Sequence, residues 1–234
     1  MKRARTCFAV MAVAVLAAAP LAMAEDLAPP DYRGFEGWTT QEWDFMTAGP
    51  APDWPGHYPK PDGTSGITHN PYDTPVAWVY GSEASWSGDF GPPGSSGGSW
   101  FDFSHMEFYV PNRPNMPLDS WKDVRVQVTY FDPFGGGPPF IEVAPEVGTA
   151  DETFVGDARD LGEDWFLIFA DWHLEPNPDK EWVYIQNPDP LNPLPNYAIS
   201  EVVIDTICVP EPATLALLGL GATALAARLR RRRR

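Results

Sequence analysis

Apolar and polar residues alternate with period two through much of the second half of the chain. In "DVRVQVTYF", Val124, Val126, Val128 and Tyr130 share one face, while Arg125, Gln127 and Thr129 take the other. That spacing predicts a strand buried on one side. The same pattern predicts strands from Phe101 to Val110, Phe140 to Val143, Trp165 to Trp172, Trp182 to Gln186 and Ala198 to Val209, and notably one from Val76 to Tyr80 in the looser first half. Between them lie "PNRPNMP", "DPFGGGPP", "LEPNPDK" and "NPDPLNPLPN", whose Pro, Gly and Asn residues supply turn geometry and stop helices. Outside the two ends of the chain no segment keeps a 3.6-residue apolar stripe. The expected fold class is all-β: a single antiparallel β-sandwich domain, jelly-roll-like, with Pro/Gly-rich turns.

The two ends break this pattern. Lys2, Arg3 and Arg5 precede an apolar run from Phe8 to Ala19, and Ala22-Met23-Ala24 stands just before Glu25. Basic region, short apolar region and small-x-small site predict an N-terminal signal peptide over 1–24, cut by signal peptidase between Ala24 and Glu25, with Ala22 and Ala24 as the small residues. At the other end fifteen uncharged residues, 213–227, precede Arg228, Arg230, Arg231, Arg232, Arg233 and Arg234. The expectation is a short C-terminal transmembrane helix whose arginines fix the tail, 228–234, on the cytoplasmic side. The domain plan is therefore a signal peptide, an extracytoplasmic sandwich over 25–208 (loop-rich over 25–99, strand-rich over 100–208) and a terminal segment over 209–234. The expected localisation is export, with the domain outside the cytoplasm.

The order Val209-Pro210-Glu211-Pro212-Ala213-Thr214, apolar segment, basic tail resembles the PEP-CTERM protein-sorting signal of Gram-negative-type bacteria. The resemblance implies that Val209, Pro210, Glu211 and Pro212 are read by an exosortase-like membrane transpeptidase. It also implies transient anchoring at the inner membrane with the domain in the periplasm, then delivery of the protein to the cell surface or to an extracellular, exopolysaccharide matrix. Within the body, "HNPYDTPVAWVYG", "WHLEPNPDKEWVYIQ" and "SEVVIDTICVPEPAT" resemble secreted PEP-CTERM proteins of planctomycete-type bacteria, whose extracellular domain has no assigned activity.

Charge narrows the partners. Three of the 16 basic residues precede Glu25 and six lie in the tail, so residues 25–212 carry seven against all 32 acidic ones. A field of that sign disfavours nucleic acid and anionic membrane surfaces. Cys208 is the single cysteine after Cys7, which excludes an internal disulfide in the processed protein and reads as a small apolar residue at a strand end. The ten tryptophans suggest sugar-stacking platforms, although large rings contribute most in a core. Trp54, flanked by Asp53 and Pro55 and followed by His57 and Tyr58, is the expected exposed one, with Tyr58 beside it as a carbohydrate platform. Asp205, on a late strand, is the candidate ligand of a structural calcium ion. His57, His69, His105 and His173 lack metal-ligand spacing. Glu42/Asp44 and Asp164/Asp171 are nominal carboxylate pairs for glycoside hydrolysis, but no nucleophile elbow or phosphate loop accompanies them, so no enzyme is expected. Three roles stay open: a structural or adhesive matrix protein, a carbohydrate-binding module recognising exopolysaccharide, and a secreted glycan-active enzyme.

Overall fold

The computed structural model describes residues 26–49, 56–63, 68–95, 97–114, 120–189 and 195–209. Those residues form thirteen strands: β1 (Trp38–Trp43), β2 (His57–Tyr58), β3 (Val76–Tyr80), β4 (Ser85–Ser87), β5 (Ser99–Phe101), β6 (His105–Pro111), β7 (Trp121–Phe131), β8 (Phe140–Pro145), β9 (Thr149–Val155), β10 (Arg159–Gly162), β11 (Trp165–Glu175), β12 (Lys180–Gln186) and β13 (Ala198–Val209). They build two antiparallel sheets. The smaller runs β2-β3-β6-β12-β8, and the larger runs β10-β11-β7-β13-β5-β4, with β9 also on the edge of β11 and β1 also on the edge of β13. The sheets pack face to face through one apolar cluster. Val124, Val126, Val128, Ile168, Ala170, Trp172, Val202 and Ile204 come from the large sheet, and Val79, Met106, Phe108, Val143, Val183 and Ile185 from the small one. Trp43 meets Phe108 edge-on across the gap at 4.9 Å. This is a two-sheet, all-β sandwich, with more strands than the eight of a jelly roll.

The alternation carried by the sequence places these faces, and its interruptions have local causes. The strand expected from Phe101 to Val110 is two strands, because Asp102 takes a left-handed φ of 52° and breaks the ladder between β5 and β6. β13 is buried on both faces along almost its whole length. One face lies on the core. The other lies under the N-terminal segment 26–33, which crosses the outside of the large sheet and is held there by polar bonds. Arg33 grips both oxygens of Asp205 at 2.5 and 2.6 Å and also pairs with Asp26. Gln127 donates to Asp26 at 2.7 Å and accepts from the Ala28 amide at 2.8 Å. Arg125 reaches the Ala28 carbonyl at 3.1 Å.

One expectation is corrected. No helix of any kind occurs among the described residues, and no helix there is long and apolar enough to cross a membrane. Nothing among the described residues supports the expected transmembrane helix over 213–227 or the transient inner-membrane anchoring derived from it, and neither is carried further. As a helix, fifteen residues at 1.5 Å each would reach only about 22 Å of a hydrocarbon layer roughly 30 Å thick. Residues 213–227 and the arginine tail, like the signal-peptide residues 1–24 and Glu25, lie outside the described residues.

Candidate functional site: an aromatic face on the small sheet

In β3, β6 and β12 every second side chain points into the sandwich, so the residues between them line the outer surface of the small sheet. Those outward residues are unusually aromatic. Trp78 and Tyr80 come from β3, His105, Glu107 and Tyr109 from β6, and Trp182 and Tyr184 from β12, each half-buried. The strand register sets Trp78 and Tyr184 on either side of Glu107, Tyr80 opposite His105, and Trp182 opposite Tyr109. On the far edge Glu142 of β8 stands opposite Tyr184 and the 69% exposed Phe140 opposite Gln186.

The rings form a connected row. His57, opposite Trp78, stacks on it at 5.5 Å and 3°. Trp78 lies 5.6 Å from Trp182 at 32°, and Trp182 lies 5.3 Å from Tyr109 at 54°. Beside the row Tyr80 stacks on His105 at 4.6 Å. Glu107 sits among them with its Oε1 3.5 Å from His105 Nε2. Partial burial pushes the phenols of Tyr80, Tyr109 and Tyr184 up, and the Glu107 carboxylate pushes those of Tyr80 and Tyr184 further the same way. All three therefore remain neutral hydroxyl groups at ordinary pH, able to donate and accept. The surface combines apolar π faces with fixed carboxylates and phenols.

The residues singled out in the sequence fall elsewhere. Trp54 lies outside the described residues. Tyr58 is 1% exposed: its ring packs edge-on against Phe45 at 5.3 Å, its hydroxyl donates to the Thr47 carbonyl, and the Trp100 indole donates to it at 2.8 Å. It is a core residue and not an exposed platform, because β2 alternation turns His57 outward and Tyr58 inward. Asp205 is also buried, with both oxygens engaged by the Arg33 guanidinium, which leaves no ready position for a cation. Asp164 sits with a left-handed φ in the turn before β11, whereas Asp171 lies seven residues along that strand. Roughly 20 Å of extended chain separates them, too far for a hydrolytic pair. Glu42 and Asp44 do come together, buried, and Glu201 joins them. Cys208 is buried near the end of β13, where burial pushes its thiol up.

A second concavity, of about 230 Å³, opens between the N-terminal segment and the large sheet, lined among others by Asp31, Tyr32, Asp123, Arg125 and Asp171. Three of its four charged residues, Asp123, Arg125 and Asp171, are engaged in ion pairs. Arg125 holds Asp171 through two bonds of 2.6 and 2.7 Å, and Asp123 meets His173 Nδ1 at 2.9 Å.

β13 ends at Val209, and a comparison with protein families matches residues 209–233 to the PEP-CTERM protein-sorting motif. The chain carries a PEP-CTERM sorting signal. It is an exported protein sorted through that signal, and an exosortase-type enzyme is its partner in sorting. Of the matched residues only Val209 is among those described, so Pro210, Glu211 and Pro212 are placed by sequence alone. No curated protein and no solved structure matches the chain. What the PEP-CTERM protein does after export thus rests on the chemistry of its own surface.

Proposed function

We propose that this exported PEP-CTERM protein is an adhesive component of an extracellular matrix, holding polysaccharide on the outer aromatic face of its small sheet. The observation that carries the reading is the ring row His57, Trp78, Trp182 and Tyr109, with Glu107 and Glu142 beside it. Indole and phenol faces carry negative π density and a large apolar area, which suits the weakly positive C–H faces of pyranose rings. Carboxylates and phenols among them accept and donate hydrogen bonds to sugar hydroxyls, and such polar groups fix orientation in a mainly apolar site. The acidic balance of the domain disfavours polyuronates, so the reading favours neutral glycans.

The test is affinity electrophoresis in gels containing neutral glucans, mannans or chitin derivatives. Trp182→Ala and Trp78→Ala are each expected to weaken retardation about tenfold, equivalent to about 1.4 kcal/mol, with circular dichroism unchanged. Phe134→Ala, which removes an exposed ring in the turn after β7, leaves binding intact. Equal retardation of all variants would remove the glycan from the reading and leave a purely structural matrix role.

A further inference from the structure

Where β1 meets the bulge in β13, the structure gathers three buried carboxyl groups. Glu42 lies near the end of β1 and Asp44 just beyond it; Glu201 follows the register shift between Ile199 and Glu201 in the β7–β13 pairing. Glu42, Asp44 and Glu201 are 0%, 2% and 6% exposed, and one oxygen from each lies within 4.8 Å of the others. Three carboxylates this close, removed from water, repel one another and pay a large desolvation cost.

An independent feature points into the same place. Ser200, the bulged residue, is 4% exposed, and its hydroxyl has no hydrogen-bond partner. It lines a cavity of about 10 Å³ together with Asp44, Glu201 and the loop residues Pro92, Ser95 and Gly97. That volume suits one monatomic ion or one water. The loop is pressed tightly against the site: a Cβ on Gly97 would lie 2.2 Å from the Asp44 carbonyl oxygen, so only glycine passes. Thr129 Oγ1 donates to Glu201 Oε2 at 3.1 Å, which orients the carboxylate from outside.

We propose that Glu42, Asp44, Glu201 and Ser200 form a calcium site that staples β1 and the loop around Gly97 to the bulge of β13. The oxygen spacing admits the ion. Ligands at 2.3–2.6 Å stand at most about 4.6–5.2 Å apart across a calcium ion, which accommodates the observed limit. Magnesium, held at 2.0–2.1 Å, keeps several waters for which this cavity of about 10 Å³ has no room. An all-oxygen set of three carboxylates and a hydroxyl is hard-cation chemistry and does not suit zinc or copper.

The experiment uses the full-length protein, stripped with EDTA and then titrated with calcium or magnesium, read by calorimetry and by thermal unfolding. Calcium is expected to bind one ion per chain and to raise the melting temperature by about 5 °C at saturation. Magnesium binds at least about tenfold more weakly. Ser200→Ala weakens calcium about tenfold and leaves the melting temperature of the stripped protein unchanged. Glu201→Gln abolishes the calcium-dependent rise. A wild-type melting temperature indifferent to calcium overturns the site. If it instead rises as the pH falls from neutral toward the carboxylate range, shared protons and not an ion neutralise the cluster. A calcium response that Ser200→Ala and Glu201→Gln both leave intact would place the ion elsewhere and equally overturn the assignment.

Discussion

Tyr58, Tyr130 and Tyr197 have rings fully inside the sandwich, and Tyr130 stacks on Tyr197 at 5.8 Å. Burial pushes the Tyr130 hydroxyl up to about 12, with Asp132 adding to it, and pushes those of Tyr58 and Tyr197 well above the ordinary phenol value of 10.0. A group whose pKa is raised by folding holds its proton more tightly in the native state. Its contribution to stability is complete below the unfolded value and is lost as pH rises through the folded one. The protein is therefore expected to lose stability between about pH 10 and pH 12, with phenolate absorbance at 295 nm and loss of sheet circular dichroism rising together. Independent titration of these three phenols near pH 10 in folded protein would contradict it. At this scale the sequence was only partly legible. It flagged the ten tryptophans as rings of interest and singled out Trp54, which lies outside the described residues, and Tyr58, which is buried; nothing in it set Trp78 and Trp182 apart from the rest. The available signal was that "VAWVY" and "EWVYIQ" place two aromatic rings on one face of an alternating strand whose other face is already largely aliphatic. Nothing local says that residues 78 and 182 become neighbours.

At the scale of elements, β7 and β12 are joined across the sandwich by a charged pair. Lys122 and Glu181 occupy inward positions, are fully buried, and meet at 2.5 Å, with Asn112 bonded to both. Burial pushes the Glu181 carboxyl up, while Lys122 and Asn112 pull it back toward the charged form. Lys122→Met leaves a buried carboxylate without its partner and is expected to cost about 3–5 kcal/mol in urea unfolding. The double variant with Glu181→Leu recovers most of that loss, because the desolvation penalty disappears along with the pair. A double variant no more stable than the single one would show that the pair itself, and not the orphaned charge, sets the cost. Elements with strong alternation, such as β7 and β12, were legible in advance. β1 and β9 were not. "WTTQEW" is buried through its polar residues, which only the cover around them explains, and β9 is exposed on nearly every residue, so burial imposes no pattern on its sequence.

For the whole molecule the decisive feature is the sorting signal that begins as β13 ends. Mass spectrometry of the protein from its native host is expected to find a mature product that begins at Glu25 and has lost the residues beyond the motif. Glu211→Ala is expected to preserve the full C-terminus, since Glu211 is the only charged group among Val209, Pro210, Glu211 and Pro212. An Arg234 terminus in both strains would show that the motif is not processed. By itself the sequence determined the strongly alternating strand segments, the sorting motif, the acidic balance and the presence of one cysteine beyond Cys7. Each of these is a property of consecutive residues or of sums over them. The tertiary structure decided which strands became neighbours, and with that the aromatic row, the Arg33 to Asp205 clasp and the carboxylate cluster. Those depend on residues such as 57, 78 and 182, or 42 and 201, meeting through sheet register and a bulge, and pairing at such distances along the chain leaves no trace in local periodicity.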